Sequence, residues 1–535
     1  MDFKDQRITI AALAGLGLVF YAFAASGQGT VWRFPLAAYP ILVILIGIAF
    51  LGQGGLKMAI IGYALTTVLV ILQFDTTIQL AFENTIVGVF KSFGLAITTA
   101  ATMLMVYLMD ETGALKVVAN VIKRQVVGDE MQALYIGLGF GSFLTCLGVT
   151  TPTLFPPLLL SMGFTPMQSV AVAVLGYDPT TSFAILGLPI TLPAQSFGFS
   201  QIDFAYKISL YLPVVSTAFS LAILWLLGGT KSIRKGLVPA ILSGLTISLS
   251  CLAFSYIDFY FAYEVIPVRI IGVIAGAFTM GTLYLYERIK GVKKEKAPPI
   301  GREEIRCFSP LIILLLLAAI VSVPQVGSFL SALPGQLEVI HVGAQKVDLD
   351  VLSQIYTWIF IATGISYFTL RPKKEELSRT RSVWVKRMPM NVAISIIFFC
   401  LAWVMAGSTI NNVLGDTFTL VFGGAYIYAA SSLGYIGAIA AGSETTSSIL
   451  FYKIQKAAAT NLNLGDNGFM TLFASHGVAG GVASAVTPSK IASSVNTIAA
   501  GKEVESVIMR RNLLISLLIL ALVALLTGVL ISLHV

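Results

Sequence analysis

Apolar runs of about 20 residues recur from one end of the chain to the other, separated by short polar stretches. A run of that length crosses the roughly 30 Å hydrocarbon core of a bilayer as an α-helix. The strands of a membrane β-barrel would instead alternate apolar and polar positions. The pattern predicts an all-α polytopic membrane protein with about thirteen spans, near 8–25, 37–53, 58–74, 92–109, 167–192, 205–228, 236–256, 265–286, 309–325, 351–370, 389–410, 468–500 and 511–533. No polar stretch exceeds about 25 residues, which leaves loops and no sizeable soluble domain.

Two segments fit none of these spans, near 131–163 and 421–460, and they repeat each other. Leu138–Phe155 reads LGFGSFLTCLGVTTPTLF and Leu433–Leu450 reads LGYIGAIAAGSETTSSIL. Aligned without a gap, they share the opening Leu-Gly, an aromatic third residue and a Thr-Thr pair, Thr150-Thr151 and Thr445-Thr446. Gly and hydroxyl residues at the centre of an apolar segment break a spanning helix, so each segment reads as a re-entrant hairpin of two short arms. Related copies in opposite halves are what a transporter built from structural repeats would carry.

Charge placement gives an independent orientation. Lys231, Arg234 and Lys235 form one basic loop. Arg288, Lys290, Lys293, Lys294, Lys296, Arg302 and Arg306 form a second, and Arg371, Lys373, Lys374, Arg379, Arg381, Lys386 and Arg387 a third. Two spans separate each neighbouring pair, which puts all three on the cytoplasmic side. Lys4, Arg7, Lys116, Lys123, Arg124, Arg510 and Arg511 fall on the same side, with the N-terminus cytoplasmic and the C-terminus extracytoplasmic. The first hairpin then opens to the cytoplasm and the second to the outside, and each precedes one broken and one intact span. That is an inverted repeat. The expected units are 1–91, N-terminal scaffold helices; 92–228, the first repeat; 229–388, central scaffold or interface helices; and 389–535, the second repeat.

Composition agrees: 56% of residues are hydrophobic and 11% charged, against about 25% charged in soluble domains. The net charge of +8 resides in these loops and is no nucleic-acid signal. The start of the chain, MDFKDQR with an apolar run ending AFAAS, has the layout of a signal peptide, but before a dozen further spans it reads as an uncleaved first helix. Cys146, Cys251, Cys307 and Cys400 are scattered without CxxC spacing, and three His make a His-rich metal site unexpected; no metal site is assigned. There is no GxxxxGK[ST], HExxH or GxSxG, so neither a P-loop ATPase nor these hydrolase chemistries has a foothold, and the chain does not read as an enzyme.

Ionisable groups inside spans mark function by default. Asp178 precedes Pro179 in GYDPTTSF, where the helix must break and expose backbone able to bind an ion; the plain alternative is a helix cap. Glu444 sits in GSETTSS, among Ser443, Thr445, Thr446, Ser447 and Ser448. Its alternative, a surface-loop acid, leaves five neighbouring hydroxyls unexplained. Lys490 follows Pro488 and could neutralise a carboxylate, or snorkel to the interface. Asn496 lies further along that segment. His476 could shuttle protons, although a lone His in a polar break is more often simply hydrogen-bonded, and Lys453 reads as a snorkelling residue.

These segments together resemble the bacterial and archaeal L-lactate permeases. The similarity is carried by TGALKVV, GFGSFL, LLSMGFTPMQSVAVAV and GLPITLPAQSFG within 112–199, by LGYIGAIAAGSETTSSILFYKIQ over 433–455, and by ASHGVAGGVASAVTPSKIA with AAGKEVESVIMRRNLL within 474–515. GSETTSS, similar to the family's GSDTSSN, is the most specific element. The resemblance implies a proton-coupled symporter of L-lactate, glycolate or a related 2-hydroxy monocarboxylate, of the elevator kind. The chain departs from the family pattern at Thr145, where the family has Glu; at Tyr177-Asp178, for Asn-Thr; at Ser484, for Lys; and at Lys490, for Gln. An acid and a base have each changed place, which would keep one cavity's charge balance while reshaping it.

The expected site is a midplane carboxylate pocket between the hairpin tips. Thr150, Thr151, Ser443, Thr445, Thr446, Ser447, Lys490 and Asn496 would bind the anion, with half-helix N-termini. Asp178, Glu444 or His476 would take the coupling ion. No cofactor is expected: a proton couples transport, with sodium as the alternative. A sodium-coupled carrier of another organic anion and an anion channel are the rival functions. The partners are a small carboxylate and the lipid bilayer, with no nucleic acid, and a homodimer is compatible with the scaffold helices.

Overall fold

The computed structural model describes residues 15–27, 29–49, 53–149, 151–176, 178–291, 300–333, 340–343, 345–347 and 349–534. Among these, eleven helices are long and apolar enough to cross a membrane. One of them, Leu212–Phe261, is really two. Gly229 at φ +63 reverses the chain, and Gly244 returns so close to the backbone of Thr217 that a Cβ there would lie 2.6 Å from its Cα. Another, Ile410–Ala441, joins the helix Ile410–Phe422 to a hairpin arm. With the shorter apolar helices Gly15–Ala25 and Ile355–Leu370, each expected span has its helix, the first of them described from residue 15. The chain is a multi-pass membrane protein.

Two helices run well past their expected starts. Ile78–Glu111 and Lys374–Ala406 are 34 and 33 residues long and pack along each other. Their early turns carry polar residues that hydropathy alone rejects. Asn84 is buried but accepts from Gln345 at 2.8 Å, on the small antiparallel pair Ile340–Val342 with Gln345–Val347. The expected boundaries at 91/92 and 388/389 consequently fall inside continuous helices.

Both leftover segments are hairpins, anchored at their bases by neighbouring helices. The first runs Asp129–Cys146, partly as a π-helix, turns, and returns as Thr151–Ser161. At its base Lys123 donates to the Ser161 carbonyl at 3.2 Å, and Glu130 accepts from Ser232 at 3.1 Å. The second runs Tyr426–Ala441 and Glu444–Asn461. Its base is tied to the preceding helix Ile410–Phe422 by Asn461, which donates to Asp416 at 2.7 Å.

The stretch 212–227 shows that the hairpins are inverted. Its C-terminal end lies at the base of the first hairpin, where the Leu227 carbonyl accepts from Gln168 at 2.6 Å. At its N-terminal end the Tyr211 hydroxyl reaches the Thr471 carbonyl at 3.1 Å and Thr527 at 3.2 Å, near the base of the second. Each hairpin is followed by a broken helix, Pro166–Phe197 and Gly465–Thr497, and then an intact one. In both halves a hairpin arm crosses the broken helix on glycine. A Cβ on Gly176 would lie 2.4 Å from the Gly137 carbonyl oxygen, and one on Gly434 would lie 2.0 Å from that of His476.

Ion pairs gather the basic loops on one face. Arg124 pairs with Glu304 at 2.7 Å, Arg379 with Glu111 at 2.8 Å, and Lys235 approaches Glu130 at 4.0 Å. Residues 111–130 thus tie all three loops together, as the charge pattern requires.

Candidate functional site

The two broken helices and the second hairpin tip converge on one cavity of about 650 Å³. Asp178, Glu444 and Lys490 all line it, with Thr145, Ser443, Thr445 and Thr446. It reaches the surface beside Gly54 and Met390, the latter 56% exposed.

The first-half break begins beyond Gly176. Asp178–Phe183 is a 3-10 turn, Thr181 sits at φ 42, ψ −117, and Ile185, Leu186 and Gly187 all take positive φ before the helix resumes. A positive φ is strained for β-branched Thr and Ile, so surrounding structure must hold it. Part of that hold is Ser216, which donates to the Pro179 carbonyl at 2.7 Å. The break leaves Asp178 2% exposed with both carboxylate oxygens lacking a hydrogen-bond partner among the described residues. The hydroxyls of Thr145 and Thr181 are orphaned in the same way. Buried polar atoms without partners are rare in proteins, and each asks for an explanation such as a bound ion.

The second hairpin brings Glu444 across to this break. Ser443 caps the helix Glu444–Asn461, accepting from the Thr446 amide at 3.4 Å. Glu444 accepts a short hydrogen bond from Ser182 of the first half. The Gly-rich run makes the approach feasible. A Cβ on Gly481 would lie 2.7 Å from Thr181 Cβ and 3.0 Å from Glu444 Oε2, and one on Gly480 would lie 3.1 Å from Glu444 Cγ.

Lys490 completes the charge set. The second-half break, Ser484–Thr487, ends where Pro488 starts the helix Pro488–Thr497. From its first turn the Lys490 ammonium reaches back to Ser484 Oγ at 2.7 Å. Ser484 is the position at which the resemblance has a lysine, so the positive charge returns to that neighbourhood. Thr145, the position of the family's acid, lines the same cavity as Asp178. Both exchanges of charge therefore fall within one cavity.

Other expected site residues stand elsewhere. Thr150 lies outside the described residues, as does the side chain of Thr151. Asn496 lines a different cavity. Ser447 and His476 do not line the central cavity; they hold the hairpin to the broken helix. Gln455 uses its amide nitrogen to reach both the Ala430 carbonyl at 2.9 Å and His476 Nδ1 at 3.1 Å. Nδ1 is then the acceptor, and Nε2–H faces Ser447 Oγ at 3.2 Å. Ser447 in turn donates to Gly434 O at 3.2 Å, and Phe473 stacks on the imidazole. His476→Phe keeps the stack but takes one buried hydrogen bond from Gln455 and one from Ser447, each of which keeps another. It is expected to cost roughly 2–4 kcal/mol of stability, read by unfolding in detergent, with the pH profile of uptake unchanged; a shifted profile would return the imidazole to the coupling step. From the sequence, Thr181 and Ser182 are expected only to satisfy backbone freed at Pro179; the structure brings Thr181 to the cavity wall and Ser182 to Glu444.

The electrostatics favour an anion with a counter-ion. One ammonium faces two carboxyls, and the N-termini of Glu444–Asn461 and Pro488–Thr497 both open on the cavity. Helix N-termini carry partial positive charge and bare N–H groups.

The family model for L-lactate permease matches residues 34–534. An L-lactate permease of Streptococcus iniae is 23% identical over 442 residues, covering 80% of this chain and 91% of that protein. One of Halalkalibacterium halodurans is 24% identical over 491 residues, covering 85% and 89%. A glycolate permease of Escherichia coli is 22% identical over 510 residues, covering 85% and 88%. Among solved structures, the YdaH transporter of Alcanivorax borkumensis, reported to have an unusual topology, aligns with a TM-score of 0.42 at 14% identity over 84% of this chain and 87% of its own.

Proposed function

Since this chain belongs to the L-lactate permease family, we propose that it carries a short 2-hydroxy monocarboxylate, such as L-lactate or glycolate, across the cell membrane together with a proton. The observation that supports this most is the single cavity in which Asp178, Glu444 and Lys490 meet. With both acids ionised the three groups sum to one negative charge, which repels a carboxylate. A proton on one acid cancels it. The anion then meets Lys490, two helix N-termini and the hydroxyls of Ser443, Thr445 and Thr446. Proton and anion each favour the other's binding, and that reciprocal coupling is symport.

The inverted halves supply alternating access. The hairpins and broken helices form the moving part, and the long pair Ile78–Glu111 and Lys374–Ala406 the wall they move against. The cavity includes Gln53 and Gly54, in a loop that the charge-based threading puts on the cytoplasmic side, which supports reading this as the inward-facing arrangement. The substrate leaves chemically unchanged.

The orphaned oxygens of Asp178 beside unwound backbone also suit a sodium ion, and a sodium-coupled carrier is the second reading. Uptake of labelled L-lactate into proteoliposomes separates the two. Accumulation driven by an inward proton gradient, independent of sodium and collapsed by a protonophore, is expected. Accumulation that needs sodium at fixed pH selects the second reading, and no concentrative flux at all would leave an anion channel.

A further inference from the structure

A further cavity lies at the far end of each broken helix. In the first half it is about 260 Å³ and is lined by Leu192, Gln195 and Ser196, with Lys91 opposite and Asp350 at its rim. At the end of the second broken helix it is about 960 Å³ and is lined by Ser493, Asn496 and Thr497 and by the returning arm of the first hairpin at Leu154 and Leu158, with Arg387, Lys116 and Asp110 beside them. Lys91 and Arg387 are equivalent. Lys91 lies thirteen residues after Ile78 in Ile78–Glu111, and Arg387 thirteen after Lys374 in Lys374–Ala406.

They face opposite sides of the molecule. Glu111, on the basic face, pairs with Arg379. At about 1.5 Å rise per residue, Lys91 lies roughly 30 Å from Glu111 along its helix, and Arg387 only about 12 Å from Arg379. The first cavity is walled off from the centre where Leu192 seats on Gly94: a Cβ there would come within 2.7 Å of Leu192 Cδ1. Ser196, which lines it, is 8% exposed, and its hydroxyl has no hydrogen-bond partner among the described residues. Lys91 is kept at the mouth by the Trp403 ring, 6.0 Å from its Nζ.

We propose that these cavities are paired antechambers for the carboxylate substrate, one on each face, in which Lys91 and Arg387 gather the anion before it reaches the central cavity. This rests on the carrier reading above. A cation in a low-dielectric cleft raises the local concentration of an anion and makes its capture salt-dependent. The acid at each rim keeps the hold weak enough for the anion to move on, as successive sites along a conduction path require.

Two measurements test it. In proteoliposomes of known orientation, Lys91→Gln is expected to raise KM about tenfold for substrate offered from the face carrying Lys91, and to leave KM from the basic face unchanged. Arg387→Gln combined with Lys116→Gln, the other cation of its cavity, should show the mirror image, and Lys91→Arg should behave as the parent. Equal shifts from both faces, or none from either, overturn the antechambers. The second measurement needs no transport. The native cysteines among the described residues are buried, whereas Gln195, which lines the same cavity, is exposed, so a thiol placed by Gln195→Cys can be labelled selectively. An anionic thiosulfonate should modify it severalfold faster than a neutral one, and Lys91→Gln should erase that preference. If the preference is absent with Lys91 in place, the antechamber is wrong. If it persists in a protein that carries no monocarboxylate, the carrier reading alone fails.

Discussion

Replacing Asp178 by Asn is expected to abolish proton-driven accumulation while exchange of labelled for unlabelled substrate continues. In a carrier moving one proton with one monocarboxylate, each pH unit is worth about 1.4 kcal/mol, or tenfold accumulation. The variant should fall to an accumulation ratio of about one. The assignment rests on a difference between the two acids. Glu444 already receives a hydrogen bond from Ser182 across the two halves, so it has a fixed structural partner. Asp178 has none for either oxygen among the described residues, and its proton can come and go without breaking a contact. Asn mimics the protonated acid in shape and charge, which is why exchange should survive. Glu444→Gln is expected to weaken substrate binding yet keep the dependence on the gradient. If Asp178→Asn accumulates like the parent and Glu444→Gln does not, the coupling role passes to Glu444.

Gly434→Val should prevent accumulation of folded protein, the largest stability effect of any single substitution here. Two influences oppose each other at this position. Replacing a helical Gly lowers the conformational cost of folding by up to about 1 kcal/mol. Against it, a Cβ would sit 2.0 Å from the His476 carbonyl oxygen. That oxygen belongs to helix backbone and cannot rotate aside as a side chain end could, so the arm and the broken helix must separate. Overpacking of this kind typically costs 1–3 kcal/mol, and more when backbone must shift. The effect would also break the network of Ser447, Gln455 and His476. Gly364→Ala is the contrast, because nothing lies within 4 Å of its Cβ position; it should be neutral or slightly stabilising. Yield of monodisperse protein and its melting temperature distinguish the two, and a Gly434→Val protein that melts like the parent would show the crossing to be loose.

Most of the architecture was written in hydropathy and in one internal repeat. The thirteen spans, both hairpins and their inversion follow from apolar run length, the Thr-Thr pairs and the placement of Lys and Arg, because a bilayer imposes those constraints on sequence directly. Asp178, Glu444 and Lys490 were legible for the same reason: charge within a span is conspicuous. What escaped depends on tertiary contact. The early turns of Ile78–Glu111 look too polar to be helix within the protein until Gln345 is brought to Asn84 from 261 residues away. The strained stretch Ile185–Leu186 contains no residue that favours positive φ before Gly187, so local propensity gives no hint of it. For His476 the hydrogen-bonded reading is open from sequence, but its partners Gln455 and Ser447 are not; for Asn496 only the packing reveals that it lines a second cavity.

The bond between Ser182 and Glu444 links residues 262 positions apart, and it sets an order of events during synthesis. At roughly 5–20 residues per second, on the order of 15–60 s pass between the appearance of Asp178 and that of Lys490. Throughout that interval the first half holds a buried acid and its hydroxyls without the hairpin or the ammonium that later face them. A ribosome stalled between the halves would therefore present a membrane-inserted but polar, unfinished surface. Such a surface is what insertion chaperones and membrane proteases recognise, so truncated chains ending before the second hairpin should be short-lived in the cell even though every one of their spans is apolar enough to insert.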